Sequence, residues 1–316
     1  MNKAMDFDQG LVNSVRINRS DVEKRVKDFG VRRTFKVEAQ AAAYVRAVQC
    51  LDLTTLQGDD TSGKVERLCA KALNPVNREI LRKLGLEELN LTTGAICVYY
   101  KLISAAQKIL QGKIPIAAVS TGFPAGQTPL YLKNTETEIL VSAGANEIDV
   151  VISRDKVLTG QWKGLYEEIK TFREICGDKA KLKTILGVGN LGTLENIAKA
   201  SAVAIMAGSD FIKTSTGFEP INATLENSLV MVREIRRFHN LSDSQRRKVG
   251  FKPAGGIKTA KDAANWLMLM LEELGEAWTR PELFRIGASS LLNDLERQLS
   301  HLATGCYSAG YRHPMA

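Results

Sequence analysis

The sequence predicts an α/β protein, a (β/α)8 TIM barrel with an N-terminal helical extension. Three observations predict it. Short apolar runs alternate with helix-length amphipathic segments eight times along the chain. The runs lack a polar face, as expected of parallel strands buried on both sides. No long interruption separates the units, and no GxGxxG follows the first run, which favours a closed barrel over an open dinucleotide-binding sheet.

Residues 1–45 read as an N-terminal arm and helices packing on the barrel, 46–303 as the barrel, and 304–316 as a C-terminal tail. Within the first part, residues 1–19 are mixed and polar, an irregular arm. Ser20-Asp21-Val22-Glu23 matches a capping box, so a helix begins there. Alanines favour a second helix over 37–48. The predicted strands are 48–53, 94–99, 114–121, 147–152, 182–187, a run through Lys213, a run through Lys252, and 283–288. The predicted helices are 65–73, with a further one at 78–84 in a long connection, then 101–110, 130–143, 157–176, 194–207, 224–239, 260–274 and 291–302. No low-complexity linker divides the chain.

Composition bounds the function. The chain has 316 residues, 44% hydrophobic, enough for one large core. Its 25% charged content and mean hydropathy of −0.12 describe an ordinary soluble protein. Net charge is +8, but basic residues are dispersed and not interleaved with aromatics. That points to an enzyme with an anionic, phosphorylated substrate, and away from nucleic acid. No signal peptide, membrane span, prenylation signal or peroxisomal signal is present, Pro314-Met315-Ala316 included. Five scattered cysteines without metal-ligand spacing imply reduced thiols and a cytoplasmic location. The three histidines form neither HExxH nor a triad pattern, so no metal and no cofactor is expected. Oligomeric state is left open, a homo-oligomer included.

The chemistry centres on Phe211-Ile212-Lys213-Thr214-Ser215-Thr216-Gly217, an apolar run with a lysine at its middle. Lysine is rarely buried unless paired or working. Burial lowers an ammonium's pKa, and a second cation lowers it further. So tuned, Lys213 is a nucleophilic amine able to form a Schiff base with a carbonyl. Gly250-Phe251-Lys252-Pro253-Ala254-Gly255-Gly256 repeats the pattern one strand–helix–strand unit later, and Lys252 supplies the second cation. One or both lysines snorkelling from strand ends is the competing reading. Asp52 and Asp149 also sit in apolar strands, where an aspartate needs an answering cation. A purely structural ion-pair network is the alternative there. Gly255-Gly256 and Gly287-Ala288-Ser289-Ser290 end the last two strands, a frequent phosphate position in such barrels; ordinary turn chemistry is the alternative.

These runs, with Asp52-Leu53-Thr54-Thr55-Leu56, Glu147-Ile148-Asp149-Val150-Val151 and Phe284-Arg285-Ile286-Gly287-Ala288-Ser289-Ser290, resemble the deoxyribose-phosphate aldolase family in order over about residues 45–300. Chain length and the N-terminal arm look like the longer, animal-type members. The resemblance implies a metal-independent class I aldolase, a lyase of deoxyribose phosphate catabolism. It would interconvert 2-deoxy-D-ribose 5-phosphate with D-glyceraldehyde 3-phosphate and acetaldehyde. It implies Lys213 as the Schiff-base lysine and Lys252 as the cation that keeps it neutral. Asp149 would be proton donor and acceptor through water. Asp52 would hold Lys252 and the substrate hydroxyls, and Gly217, Gly255, Gly256, Ser289 and Ser290 would hold phosphate. The sequence departs from the family pattern at Phe218, where a phosphate-binding lysine is usual, at Val188-Gly189-Asn190-Leu191 for Thr-Gly-Glu-Leu, and at Tyr100 for proline. Lys258 is a candidate replacement cation, and Tyr307 and Tyr311 lie near the C-terminus. An aldolase of unphosphorylated aldehydes and a catalytically silent scaffold are the alternative readings.

Overall fold

Eight short parallel strands form the centre of the structure, a computed structural model that describes residues 1–31, 37–241 and 246–315; Ala316, the end of the expected tail, lies outside them. They are β1 (Leu51–Thr54), β2 (Ala95–Val98), β3 (Ile116–Ser120), β4 (Glu147–Val151), β5 (Lys181–Ile185), β6 (Phe211–Lys213), β7 (Gly250–Lys252) and β8 (Ile286–Ala288). Their order is β7-β6-β5-β4-β3-β2-β1-β8. Parallel bridges Phe251↔Phe284 and Ala254↔Gly287 join β7 to β8 and close the barrel. The predicted (β/α)8 architecture is therefore present.

Alternation along each strand divides the core in two. Ile148, Val150, Leu182, Ile212 and Phe251 belong to the large apolar layer between strands and helices. A small separate cluster inside the barrel comprises Leu56, Cys97, Ala117 and Val119, edged by Tyr99 and Phe123. The remaining interior is ionic. Several loops entering the outer helices end on a threonine cap. The side chains of Thr61, Thr193, Thr224 and Thr259 each accept from a first-turn backbone N–H. Each such cap stabilises its helix by about 1 kcal/mol.

Several elements differ from the sequence reading. The helix expected at Ser20 is Arg19–Val31, beginning one residue earlier, and the Asn18 side chain caps it by accepting from Asp21 N at 3.1 Å. The arm is not wholly irregular: Gln9–Asn13 is helical, capped by Asp8. It is also fixed, since Met5 N donates to Met206 O at 2.9 Å and Asn2 N to Asp210 Oδ1 at 2.7 Å. Val48 ends up inside the helix Val37–Gln49, and β1 begins at Leu51. The single helix expected over 157–176 is two, Arg154–Leu158 and Trp162–Cys176, because Gly160 turns the chain with φ +70. The extension is bound to the outer helices by Arg25, which meets Glu272 at 2.7 Å and Glu273 at 3.0 Å.

Candidate active site

Strand pleat and register carry the ionic residues to one place. Glu147 and Asp149 are two apart on β4 and share a face, as Phe211 and Lys213 do on β6. Asp149 pairs in register with Lys183, and Lys213 with Lys252. Lys213 Nζ donates to Asp149 Oδ2 at 2.9 Å, and Lys252 Nζ donates to the same oxygen at 2.9 Å. Lys252 Nζ also lies 2.6 Å from Asp52 Oδ2. All four predicted catalytic residues therefore converge, and each is buried. Gly287 makes the approach possible: a Cβ there would stand 2.9 Å from Ala254 Cβ and 3.2 Å from Lys252 Cε.

Three residues to which sequence reasoning gave no role complete the network. Lys183 Nζ donates to Asp52 Oδ2 at 2.8 Å and ion-pairs with Glu147 Oε2. The Arg285 guanidinium donates to Asp52 Oδ1 at 2.6 Å and Glu147 Oε1 at 2.9 Å. The available signal for Lys183 was topological. Lys181-Leu182-Lys183-Thr184-Ile185 alternates like a half-exposed strand, but a barrel strand has no exposed face, so Lys183 must point inward. Asp52, expected to hold substrate hydroxyls as well as Lys252, has both oxygens committed to Lys183, Lys252 and Arg285. It does not line the cavity.

The electrostatics single out one lysine. The network holds four basic groups (Lys183, Lys213, Lys252, Arg285) and three carboxylates (Asp52, Glu147, Asp149). It balances when one base is neutral. Burial pushes Lys213 below its ordinary pKa, Asp149 opposes this, and Lys252 adds to it. Lys183 and Lys252 go the other way: burial opposes their charge, but Asp149 and Asp52 outweigh it and raise both. Burial also resists ionisation of Asp149, yet Lys183, Lys213 and Lys252 hold it well below the carboxylate range. Asp149 Oδ1 is buried without a hydrogen-bond partner. Cys97 is buried beside these groups, and burial pushes its thiol pKa up, as for a packing residue rather than a nucleophile.

A cavity of about 480 Å3 opens above Lys213 at the C-terminal ends of the strands. Gly217, Gly255, Gly256, Ser289 and Ser290, the predicted phosphate residues, all line it. Ser290 directly precedes the helix Leu291–Thr304, whose N-terminal dipole adds positive potential there. The Gly217 amide is already engaged, donating to Glu219 Oε2 at 3.2 Å; Glu219 also accepts from Thr216 N and Oγ1. Lys64 and Lys258 reach the cavity. Of the departures from the family pattern, Phe218 alone lines it, packing edge-on to Phe123 with ring centroids 5.8 Å apart. Val188 and Gly189 face a different depression, and Asn190 and Tyr100 are exposed away from the cavity. Tyr307 and Tyr311 do not reach it either; both are largely exposed. Met315 does, brought back by His313, whose carbonyl accepts from Asn293 Nδ2 at 2.5 Å.

Comparison with known proteins places this geometry. Residues 46–297 match the model of the DeoC/LacD family of aldolases. The chain is 50% identical over 318 residues to human deoxyribose-phosphate aldolase, covering 100% of this chain and 99% of that one. It is 50% identical over 314 residues to the bovine protein of the same name, covering 98% of each. The solved tetrameric deoxyribose phosphate aldolase of Aeropyrum pernix superposes with a TM-score of 0.56 at 20% identity, over 86% of this chain and 100% of that one.

Proposed function

The chain belongs to the DeoC/LacD family of aldolases, and from that premise we infer that it is a carbon–carbon lyase for 2-deoxy-D-ribose 5-phosphate. The reaction yields D-glyceraldehyde 3-phosphate and acetaldehyde, reversibly. One observation carries the mechanism: Lys213 lines the substrate cavity, and its environment favours the neutral amine.

The neutral Lys213 amine attacks the substrate aldehyde carbon. A carbon–nitrogen bond forms, and loss of water leaves an iminium. The C3 hydroxyl then gives up its proton and the C2–C3 bond breaks, its electron pair flowing to the iminium nitrogen. Glyceraldehyde phosphate departs. Protonation of the enamine carbon and hydrolysis release acetaldehyde and restore the amine. Asp149 is the acid–base group, through water, and its Oδ1, which accepts no hydrogen bond and lies 3.6 Å from Lys183 Nζ, supports that role. Lys252 holds Asp149 ionised and disfavours a charge on Lys213. Asp52, Lys183, Glu147 and Arg285 hold Lys252 and Asp149 in place. The Ser289-Ser290 turn and Gly255-Gly256 supply phosphate donors, with Lys64 and Lys258 as nearby cations.

Borohydride reduction in the presence of acetaldehyde tests this. The expected product is an ethyl adduct on Lys213, absent from Lys213→Ala. A folded enzyme that turns over substrate without a trappable adduct refutes the Schiff-base mechanism. We also propose a reducing, cytoplasmic setting, which the five free cysteines support. Among the described residues, no helix is long and apolar enough to cross a membrane. Self-association is proposed on the exposed Tyr131, Leu132 and Ile139 of one outer helix, to be measured by sedimentation.

A further inference from the structure

We propose that the lower end of the barrel holds a second anion site, for a small molecule bearing at least two negative charges. A cavity of about 560 Å3 opens there, at the N-terminal ends of β1, β2, β3, β5 and β8, opposite the catalytic mouth. Arg46, Lys113, Lys181, Arg280 and Arg285 line it, against the single carboxylate of Glu282. It gathers more cations than the substrate cavity, where Lys64, Lys213 and Lys258 stand.

Among the described residues, four of these five cations have no buried carboxylate partner; Arg285 is already held by Asp52 and Glu147. Among the described residues, no carboxylate pairs with Arg46, Lys113 or Lys181. Arg280 has only a mostly exposed pair with Glu276 at 3.2 Å. Like charges converging on a concave, partly desolvated surface raise the local potential and draw a counter-ion. The side chains of Gln49, Asn90 and Thr92 add uncharged hydrogen-bonding groups to the same wall.

The lining also selects the class of ligand. Among the described residues that line it there is no aromatic side chain, so there is no platform on which a nucleobase would stack. The volume falls within the range of small-molecule sites, about 300–1,000 Å3. A compact, multiply charged oxyanion with hydroxyls fits this chemistry; a nucleic acid does not. Arg285 belongs both to this wall and to the ionic interior, where it holds Asp52 and Glu147. The site therefore lies one side chain from the network that carries Lys252.

Calorimetric titration of the full chain with inorganic pyrophosphate at low ionic strength tests the proposal. Two binding events are expected, one in each cavity. The Arg46→Ala/Lys113→Ala double variant weakens one event by at least about tenfold, the loss of a charge-assisted contact or two, and keeps aldol turnover. Ser290→Asp removes the other event alone. The proposal is overturned when no binding event of the unmodified protein is weakened in the double variant; absence of the Ser290→Asp-sensitive event bears on the substrate cavity alone. Should the double variant not fold, Lys113→Ala alone, at an exposed loop position, gives the same reading.

Discussion

Lys213 and Lys252 meet on one oxygen: Asp149 Oδ2 accepts from the side-chain nitrogen of each at 2.9 Å. Their backbones are register partners on adjacent strands. A single carboxylate oxygen cannot fully compensate two buried ammonium ions. Asp52 breaks the tie, since it touches Lys252 at 2.6 Å and makes no ion pair with Lys213. Burial and Lys252 lower the Lys213 pKa, whereas Asp149 and Asp52 outweigh burial and raise that of Lys252.

Replacing Lys252 by methionine removes the cation that depresses Lys213 and leaves Asp149 to Lys213 and Lys183. Both changes raise the Lys213 pKa. The ascending limb of the kcat/KM profile, which reports neutral Lys213, moves to higher pH. Turnover near neutrality falls by about 10²–10⁴-fold, the usual range for losing acid–base support. The measurement is a pH–rate series on both proteins. A limb that does not move assigns it to another group.

Acid should erode stability through the ionic interior. Burial resists ionisation of Asp52 and Glu147, but Lys183, Lys252 and Arg285 outweigh it for Asp52, and Arg285 and Lys183 for Glu147. Both folded values lie below the ordinary 3.8 and 4.5. The native state thus binds fewer protons than the unfolded chain. Stability from these groups is complete above the ordinary values and is lost as pH falls from there through the folded ones. Urea midpoints measured from about pH 6 down to about pH 3 should drop steeply below about pH 4. Asp52→Asn should flatten that drop.

Lys183→Met leaves Glu147 and Asp52 short of a cation in a buried setting. Breaking one member of such a network typically costs about 3–5 kcal/mol. Chemical denaturation reads this directly. A loss under about 1 kcal/mol would show that Arg285 and Lys252 alone suffice for both carboxylates.

Gly287→Ala tests how closely Lys252 must be approached. The new methyl meets Ala254 Cβ at 2.9 Å and Lys252 Cε at 3.2 Å, so one of them shifts. Overpacking of this kind costs about 1–3 kcal/mol. Because Lys252 Cε must also give way, kcat should fall by more than KM rises. Steady-state kinetics separate the two; a change confined to KM would place the effect on the phosphate turn instead.

Phe218→Lys puts a cation on the cavity wall where an aromatic ring now stands. Phe218 is 52% exposed, so solvent weakens the gain. KM for the phosphorylated sugar should drop roughly three- to tenfold, with little change for free deoxyribose. The edge-to-face contact with Phe123 is lost, worth about 0.5–1.5 kcal/mol of stability. Equal shifts for both sugars would mean that residue 218 does not face the phosphate.

The sequence by itself determined the barrel, because strands buried on both faces recur as short, largely apolar runs between helical segments, and the one alternating strand still falls at its place in the eightfold repeat. It also determined Lys213 and Lys252, since a lysine inside such a run has no bland environment to occupy. Lys183 was not legible in the same way: its strand alternates, and alternation reads as one wet face until closure removes every wet face. Arg285 and Glu147 stand at strand beginnings, where charge is ordinary, and only the barrel's interior brings them to Asp52. Glu219 on the Gly217 amide and Met315 on the cavity wall depend on where a loop and a tail fold back. Local patterns fix which face of a strand is buried. What a buried charge meets there is decided across the barrel, by residues far apart in sequence, and so by the tertiary structure alone.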